Sequence, residues 1–140
     1  MLRDLPVQDI MKSPVIVLEV DDPFHLVNEK FQLKDIRHLP IVDANNILVG
    51  LITQTDLYRI ISPRKTPDGY QYNTRTLDEF ILQRVMTPNP SSVSPLTPLS
   101  VAVDIMARNK YGCLPVVDPQ KKVVGIITET DIFKLVAKKL

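Results

Sequence analysis

Cysteine, net charge and long apolar runs are all scarce in this sequence, and each scarcity excludes a class of protein. Cys113 is the only cysteine in 140 residues, which excludes an intrachain disulfide framework and a cysteine-based zinc cluster. The formal net charge of +1 provides no basic field of the kind that grips nucleic acid or anionic membrane. The longest apolar runs, such as residues 47–52, are far shorter than the roughly 20 residues of a membrane helix. The first residues lack the apolar segment of a signal peptide, so we expect a cytoplasmic protein that binds no membrane and has no nucleic-acid partner.

The sequence contains one unit written twice. At an offset of 75 residues, the spacing of Met11 and Met86, residues 7–61 align with residues 82–136 without a gap. The register is kept over the whole length, which indicates a tandem duplication. Other identical positions are Pro23 and Pro98, Leu39-Pro40 and Leu114-Pro115, Val49-Gly50 and Val124-Gly125, and the motifs Thr53-x-Thr55-Asp56 and Thr128-x-Thr130-Asp131.

Each copy predicts the element order β-α-β-β-α, and the chain as a whole an α/β (α+β) fold. In copy one, the β-branched run at residues 15–18 predicts a first strand, and residues 39–43 and 47–52 predict a hairpin. A second apolar helix follows each Thr-x-Thr-Asp motif, at residues 57–61 and 132–136. With 44% hydrophobic residues, both copies can form a single compact module spanning residues 1–140.

The first helix of each copy is predicted from a cap and a proline. Asp22-Pro23 and Thr97-Pro98 would place a capping side chain before a proline at the first helical position. Apolar residues then recur at helical spacing and predict the buried face of the helix. They are Phe24, Val27 and Phe31 in copy one, and Leu99, Ala102 and Met106 in copy two.

The segment between the copies, residues 62–81, predicts a linker and a short helix. Residues 62–76 contain Pro63, Pro67 and Gly69 and show no apolar period, which is typical of a linker. Thr76-x-x-Glu79 resembles a capping box that opens a short helix through residues 80–81.

The Thr-x-Thr-Asp motifs are the strongest candidates for ligand binding. Each lies where a strand is predicted to meet a helix, and backbone N–H groups and the positive end of the helix dipole are exposed at such a junction. Threonine hydroxyls can contact phosphate, and a fixed carboxylate can accept two hydrogen bonds from a ribose diol. The alternative is a capping box with aspartate in place of glutamate, and recurrence does not exclude it because a duplicated unit duplicates its caps.

The complete pattern resembles the cystathionine β-synthase (CBS) domain, present here in tandem. The resemblance rests on Met11, the Leu-Pro-Ile-Val-Asp and Leu-Pro-Val-Val-Asp strands, and the Val-Gly-x-Ile-Thr-x-Thr-Asp segments, and it covers residues 7–136. It implies two repeats packed through their sheets as a pseudo-twofold module with two clefts for adenosine compounds. In each cleft the Thr-x-Thr-Asp of one copy would meet the ribose and phosphates, and the other copy would meet the adenine.

The resemblance implies two candidate sites of unequal quality. The first would combine Thr128, Thr130 and Asp131 with Met11, Pro14, Ile16, Ile36, Arg37 and His38. The second would combine Thr53, Thr55 and Asp56 with Met86, Asn89, Ser91, Tyr111, Gly112 and Cys113. Arg37 can pair with a phosphate, although Arg37 and His38 could also form a polar rim beside Pro40. We rank the first site higher because the second carries no cation in the corresponding places.

Enzymatic activity is not expected. The sequence shows no nucleophile with an adjacent base, and the two histidines are not at metal-ligand spacing. Cys113 is better explained as a small buried residue than as a nucleophile, because its repeat contains no histidine.

We therefore expect a regulatory module that senses AMP, ADP or ATP, with S-adenosylmethionine a weaker candidate and no required cofactor. The resemblance also implies a homodimer and an effector protein acting in trans. One alternative is an interaction module that has kept the fold and lost the ligand. Another is a cleft for a metal-bridged polyphosphate or a nucleic acid.

Overall fold

The structure, a computed structural model, describes residues 2–33, 36–61, 63–72 and 77–140. The strands are β1 (Leu18–Glu19), β2 (His38–Val42), β3 (Leu48–Thr53), β4 (Pro63–Thr66), β5 (Gly69–Tyr72), β6 (Thr87–Pro88), β7 (Cys113–Val117) and β8 (Val123–Thr128). The helices are α1 (His25–Phe31), α2 (Gln54–Ile60), α3 (Leu82–Val85), α4 (Leu99–Asn109) and α5 (Glu129–Lys139). Short 3-10 turns occupy Leu2–Asp4, Val7–Asp9 and Leu77–Glu79.

The chain forms two compact units whose boundaries are not those of the sequence repeats. Unit 1 consists of Met1–Val15, Asn45–Leu48 and Pro90–Leu140, and unit 2 consists of Ile16–Ala44 and Val49–Asn89. The first 15 residues therefore belong with the body of the second repeat. In the same way, the start of the second repeat, through Asn89, belongs with the body of the first.

Unit 2 is built on a sheet with the order β1-β2-β3-β6. β1 runs parallel to β2, and β6 pairs antiparallel with β3 through Gly50 and Pro88. The apolar residues predicted for α1, Phe24, Val27 and Phe31, are all buried in the core of this unit, which confirms the predicted face. The first strand is shorter than expected and displaced toward its end, since only Leu18–Glu19 pair.

Unit 1 repeats this arrangement around the β7–β8 hairpin. Val93 bridges Val116 in parallel, and Lys12 bridges Ile126 in antiparallel orientation, so these two residues take the places that β1 and β6 occupy in unit 2. The predicted face of α4 is also confirmed, because Leu99, Ala102 and Met106 are buried.

The predicted helix caps are wrong in both copies. The Asp22 carboxylate and the Thr97 hydroxyl accept hydrogen bonds from the preceding backbone N–H groups of Glu19 and Ser94. Neither proline is the first helical residue, since α1 begins at His25 and Pro98 is itself the N-cap of α4.

Other segments of the chain bond to the first residues of these helices. The His25 N–H donates to the Asp78 carboxylate at 2.8 Å, and the Leu99 N–H donates to the Leu5 carbonyl at 2.7 Å. The hydrogen bonds from the His25 backbone and ring lower the pKa of Asp78. A short polar side chain can accept a hydrogen bond from a backbone N–H of the loop instead of capping the helix.

The segment between the copies contains structure that its composition does not predict. β4 and β5 form an antiparallel hairpin in which Thr66 pairs with Gly69, and Gly69 takes a φ of 125° that favours glycine. Thr76, the expected start of a capping box, lies outside the described residues. Phe80 and Ile81 are not helical, and α3 begins at Leu82. None of the helices among the described residues is long and apolar enough to cross a membrane.

A methionine lies against a glycine where each repeat contributes to the unit of the other. A side-chain carbon added at Gly125 would collide with the Met11 sulfur, and one added at Gly50 would collide with the Met86 sulfur. Both glycines are buried, so each allows the methionine segment to approach the strand closely.

We predict that Gly125→Ala lowers the free energy of unfolding by about 1–3 kcal/mol, because the added methyl overpacks the contact with Met11. In a Met11→Ala background the same substitution should cost much less, since the colliding side chain is gone. Urea denaturation of the two single variants and the double variant measures this coupling. Additive effects would contradict the close approach, and Gly50→Ala with Met86→Ala provides the matched pair in unit 2.

Candidate functional site

Both Thr-x-Thr-Asp motifs form complete capping boxes. β3 ends at Thr53 and β8 ends at Thr128, and a helix begins at the next residue in each case. In copy one, the Thr53 N–H donates to Asp56 Oδ2 at 2.8 Å, and the Asp56 N–H donates to Thr53 Oγ1 at 3.2 Å. The equivalent distances in copy two are 2.9 Å and 3.4 Å. The capping alternative is therefore correct as a description of local structure, and any binding role must use what the caps leave over.

Asp131 has one carboxylate oxygen engaged by the cap and one directed elsewhere. Oδ2 accepts from both the backbone N–H and the hydroxyl of Thr128, at 2.9 Å and 3.0 Å. Oδ1 pairs with the ammonium of Lys12 at 3.2 Å. Lys12 Nζ also donates to Thr128 Oγ1 at 3.4 Å. The Asp131 side chain is only 9% exposed, whereas that of Lys12 is 46% exposed. The carboxylate is therefore nearly buried, and the lysine that pairs with it is half exposed.

The backbone of residues 11–13 is fixed on β8. The Lys12 N–H donates to the Ile126 carbonyl at 2.9 Å, and the Ile126 N–H donates to the Lys12 carbonyl at 3.1 Å. The Ser13 hydroxyl donates to the Val124 carbonyl at 3.0 Å. Met11 also packs over Gly125. These contacts place Lys12 near the end of β8, beside Asp131.

The corresponding aspartate of copy one has a weaker cationic partner. Asp56 Oδ1 lies 3.7 Å from Arg59, one turn further along α2, and the Arg59 side chain is 75% exposed. An exposed ion pair of this kind contributes little to the free energy of folding. The residue equivalent to Lys12 at the offset of 75 is Thr87, which has no charge. The two motifs are therefore alike as caps and different in electrostatics.

The residues predicted for each site are divided between the two units. For the first site, Met11, Pro14, Thr128, Thr130 and Asp131 lie in unit 1, and Ile16, Ile36, Arg37 and His38 lie in unit 2. For the second, Thr53, Thr55, Asp56, Met86 and Asn89 lie in unit 2, and Ser91, Tyr111, Gly112 and Cys113 lie in unit 1. Each unit thus brings a Thr-x-Thr-Asp motif together with the methionine segment of the other repeat.

The segment before each Leu-Pro strand supports the neighbouring helix start. The Arg37 carbonyl accepts from the Gln54 N–H at 2.9 Å, and the Gly112 carbonyl accepts from the Glu129 N–H at 3.1 Å. Gln54 and Glu129 are the first residues of α2 and α5. These two segments are therefore held against the motifs of their own repeats by backbone contacts.

Two residues of the predicted second site form a hydrogen bond with each other, and a third, Cys113, is a buried thiol with a raised pKa. The Ser91 hydroxyl donates to the Tyr111 hydroxyl at 3.4 Å, and Tyr111 is 38% exposed. Cys113 is 3% exposed, and burial, followed by the charge of Glu129, raises its pKa to about 12. A thiol with that pKa is protonated at neutral pH, which supports the interpretation of Cys113 as a structural residue.

Lys12 is a charged residue at the first site that sequence reasoning missed. It lies between Met11 and Pro14, both of which were assigned to the site, and it differs from its repeat counterpart Thr87. That difference between otherwise matched copies was the available signal. The contact with Asp131 could not be inferred, because it depends on the pairing of residue 12 with a strand of the other repeat.

A model of the CBS domain matches residues 7–63 and 82–138, so the chain belongs to the CBS domain family. A CBS domain-containing protein of Dictyostelium discoideum is 25% identical over 134 residues, which are 96% of this chain and 92% of that protein. A homoserine O-acetyltransferase of Methanohalobium evestigatum is 28% identical over 134 residues. This chain spans only 24% of that enzyme's length.

Solved structures have the same fold. The crystal structure of the CBS domain pair of protein MJ0100, in complex with 5′-methylthioadenosine and S-adenosyl-L-methionine, superposes with a TM-score of 0.79 at 26% identity. The match covers 97% of this chain and 98% of that one. The chain therefore has the fold of a CBS domain pair, as its repeat pattern predicts.

Proposed function

We propose that this chain is a regulatory module that binds an adenosine-containing ligand in unit 1, with an adenine nucleotide (AMP, ADP or ATP) as the preferred member of that class. The observation that carries the proposal is the state of Asp131. Its Oδ2 accepts hydrogen bonds from Thr128, and its Oδ1 pairs with the half-exposed side chain of Lys12. An oriented carboxylate with one oxygen that the helix cap does not use is suited to accept hydrogen bonds from a ribose diol.

The structural relative supports the ligand class. The CBS domain pair of MJ0100 is in complex with two compounds that both contain adenosine. CBS domain pairs are generally regulatory rather than catalytic, so occupancy would act on an effector protein. Neither compound in that complex is a nucleotide, and the preference for phosphate in this chain rests on its own positive charge near Asp131.

We expect calorimetric titration of nucleotide-free protein with AMP or ATP to give saturable binding that Asp131→Asn weakens by at least tenfold. Asparagine can retain the bond from the Thr128 N–H, but it loses the negative charge and one acceptor. Asp56→Asn alters the matched capping box of copy one and should weaken the tighter binding event less. Similar losses of thermal stability in the two variants would show that the difference in affinity is not a folding effect.

An absence of heat and of thermal shift with AMP, ATP and S-adenosylmethionine would contradict the proposed function. It would favour the interaction module, in which the Thr-x-Thr-Asp motifs act only as helix caps. Binding that survives Asp131→Asn unchanged would place the ligand elsewhere.

An apolar face on unit 1 supports a second role, assembly with another copy of the chain. α5 has no buried residue although it is amphipathic, and Phe133 and Val136 are 67% and 42% exposed. A groove of about 330 Å³ lined by Val103, Met106, Ile132 and Phe133 runs between α4 and α5. Contiguous apolar surface of this kind marks interaction sites, and a second copy is the occupant that the family resemblance implies.

We predict a homodimer that Phe133→Glu converts to monomer, because the substitution places a charge in an apolar interface. Light scattering coupled to size-exclusion chromatography measures the mass of each form. Lys134→Glu changes the charge of the next residue and should leave the dimer intact. A wild-type monomer at tens of micromolar protein, or a dimer that persists in Phe133→Glu, would rule out this face as the interface.

A further inference from the structure

The ammonium of Lys12 contacts two oxygen atoms of the Thr-x-Thr-Asp motif that could otherwise bind a ribose. Nζ is 3.2 Å from Asp131 Oδ1 and 3.4 Å from Thr128 Oγ1. The lysine backbone is fixed by its two hydrogen bonds to Ile126, but the side chain is 46% exposed. A lysine side chain has a flexible four-carbon stem, so the charge can move while its Cα stays in place.

The acceptor capacity of Asp131 makes ligand and lysine competitors. A carboxylate offers about four lone-pair sites, and the two on Oδ2 are used by the N–H and the hydroxyl of Thr128. While both of these bonds are kept, a vicinal diol that donates two hydrogen bonds must use Oδ1, where Lys12 already lies. Binding a diol at Asp131 requires the ammonium to move away.

The charge of the ligand decides what this displacement costs. A neutral nucleoside would separate the Lys12 ammonium from the nearly buried Asp131 carboxylate, and it has no anionic group with which the ammonium could pair instead. A nucleotide carries phosphate on the same ribose, so the displaced ammonium gains a charge-assisted hydrogen bond of the stronger kind. A cationic ligand adds repulsion to the displacement.

We propose that Lys12 is a specificity-determining residue. In the free protein its ammonium occupies Asp131 Oδ1, and it leaves this oxygen preferentially for anionic adenosine ligands, whose phosphate binds the displaced ammonium. This inference rests on the proposed function and deepens it. It also gives a reason for the inequality of the two motifs, since Thr87 stands at the equivalent place in copy two, and within the described part of the chain Asp56 pairs with Arg59 of its own helix.

AMP and 5′-methylthioadenosine are suitable probes, because they share adenosine and only AMP carries a phosphate. Calorimetric titration of the wild-type chain should give at least tenfold tighter binding of AMP. Lys12→Met removes the charge and keeps most of the side-chain length. It should reduce the AMP preference by about tenfold, with weaker AMP binding and equal or tighter binding of 5′-methylthioadenosine, since Oδ1 is then open.

Three further variants make the result specific. Lys12→Arg keeps the charge and should retain the preference. Lys12→Thr introduces the residue that copy two carries naturally and should behave as Lys12→Met does, which protects the test against one variant that folds poorly. Lys139→Met removes a lysine at the far end of α5 and should leave the preference unchanged.

The outcomes separate this inference from the proposed function. If the wild-type chain binds both probes and Lys12→Met leaves the affinity ratio unchanged, Lys12 does not set specificity, although the site stands. If the wild-type chain prefers 5′-methylthioadenosine, the inference is wrong and the ligand class is kept. If it binds neither probe nor any other adenosine compound, the proposed function fails and the inference fails with it.

Discussion

The pairing of residue 12 with Ile126 is the contact on which the candidate site depends. Two backbone hydrogen bonds join the first repeat to the central hairpin of the second, and Gly125 lets Met11 lie against the strand. This contact brings Lys12 to Asp131, although the two residues are at opposite ends of the chain. Unit 2 contains the same exchange, with Pro88 on Gly50. A site made from both repeats can therefore form inside a single compact unit.

The sequence predicts the elements better than it predicts their connections. The burial of Phe24, Val27 and Phe31 follows from helical spacing alone, because an amphipathic helix has one face to bury. The predicted cap of α1 is wrong because the Asp22 carboxylate accepts from the Glu19 N–H, and the first helical N–H donates to Asp78 of a distant segment instead. The exchange of segments between the repeats left no periodic signal. Lys12 escaped notice for the same reason, since its importance comes from the strand that it joins.

The difference between the two motifs is electrostatic rather than geometric. Both aspartates complete the same capping box, so both are kept in place by local structure without any ligand. Among the residues that the structure describes, Asp131 pairs with a cation from a distant segment of the chain, whereas Asp56 pairs with Arg59 on its own helix. The chain passes from unit 1 to unit 2 between Val15 and Ile16, three residues after Lys12. The segment that carries Lys12 therefore lies next to one of the crossings between the two units.

A crystal structure of the chain grown with AMP tests the central claim most directly. The account predicts ribose hydroxyls within hydrogen-bond distance, about 2.7–3.2 Å, of Asp131 Oδ1. It also predicts that the Lys12 ammonium leaves Asp131 for a phosphate oxygen, while the backbone pairing of residue 12 with Ile126 is kept. A bound nucleotide that leaves the Lys12–Asp131 pair intact would contradict the account, because the carboxylate would then be a helix cap and nothing more.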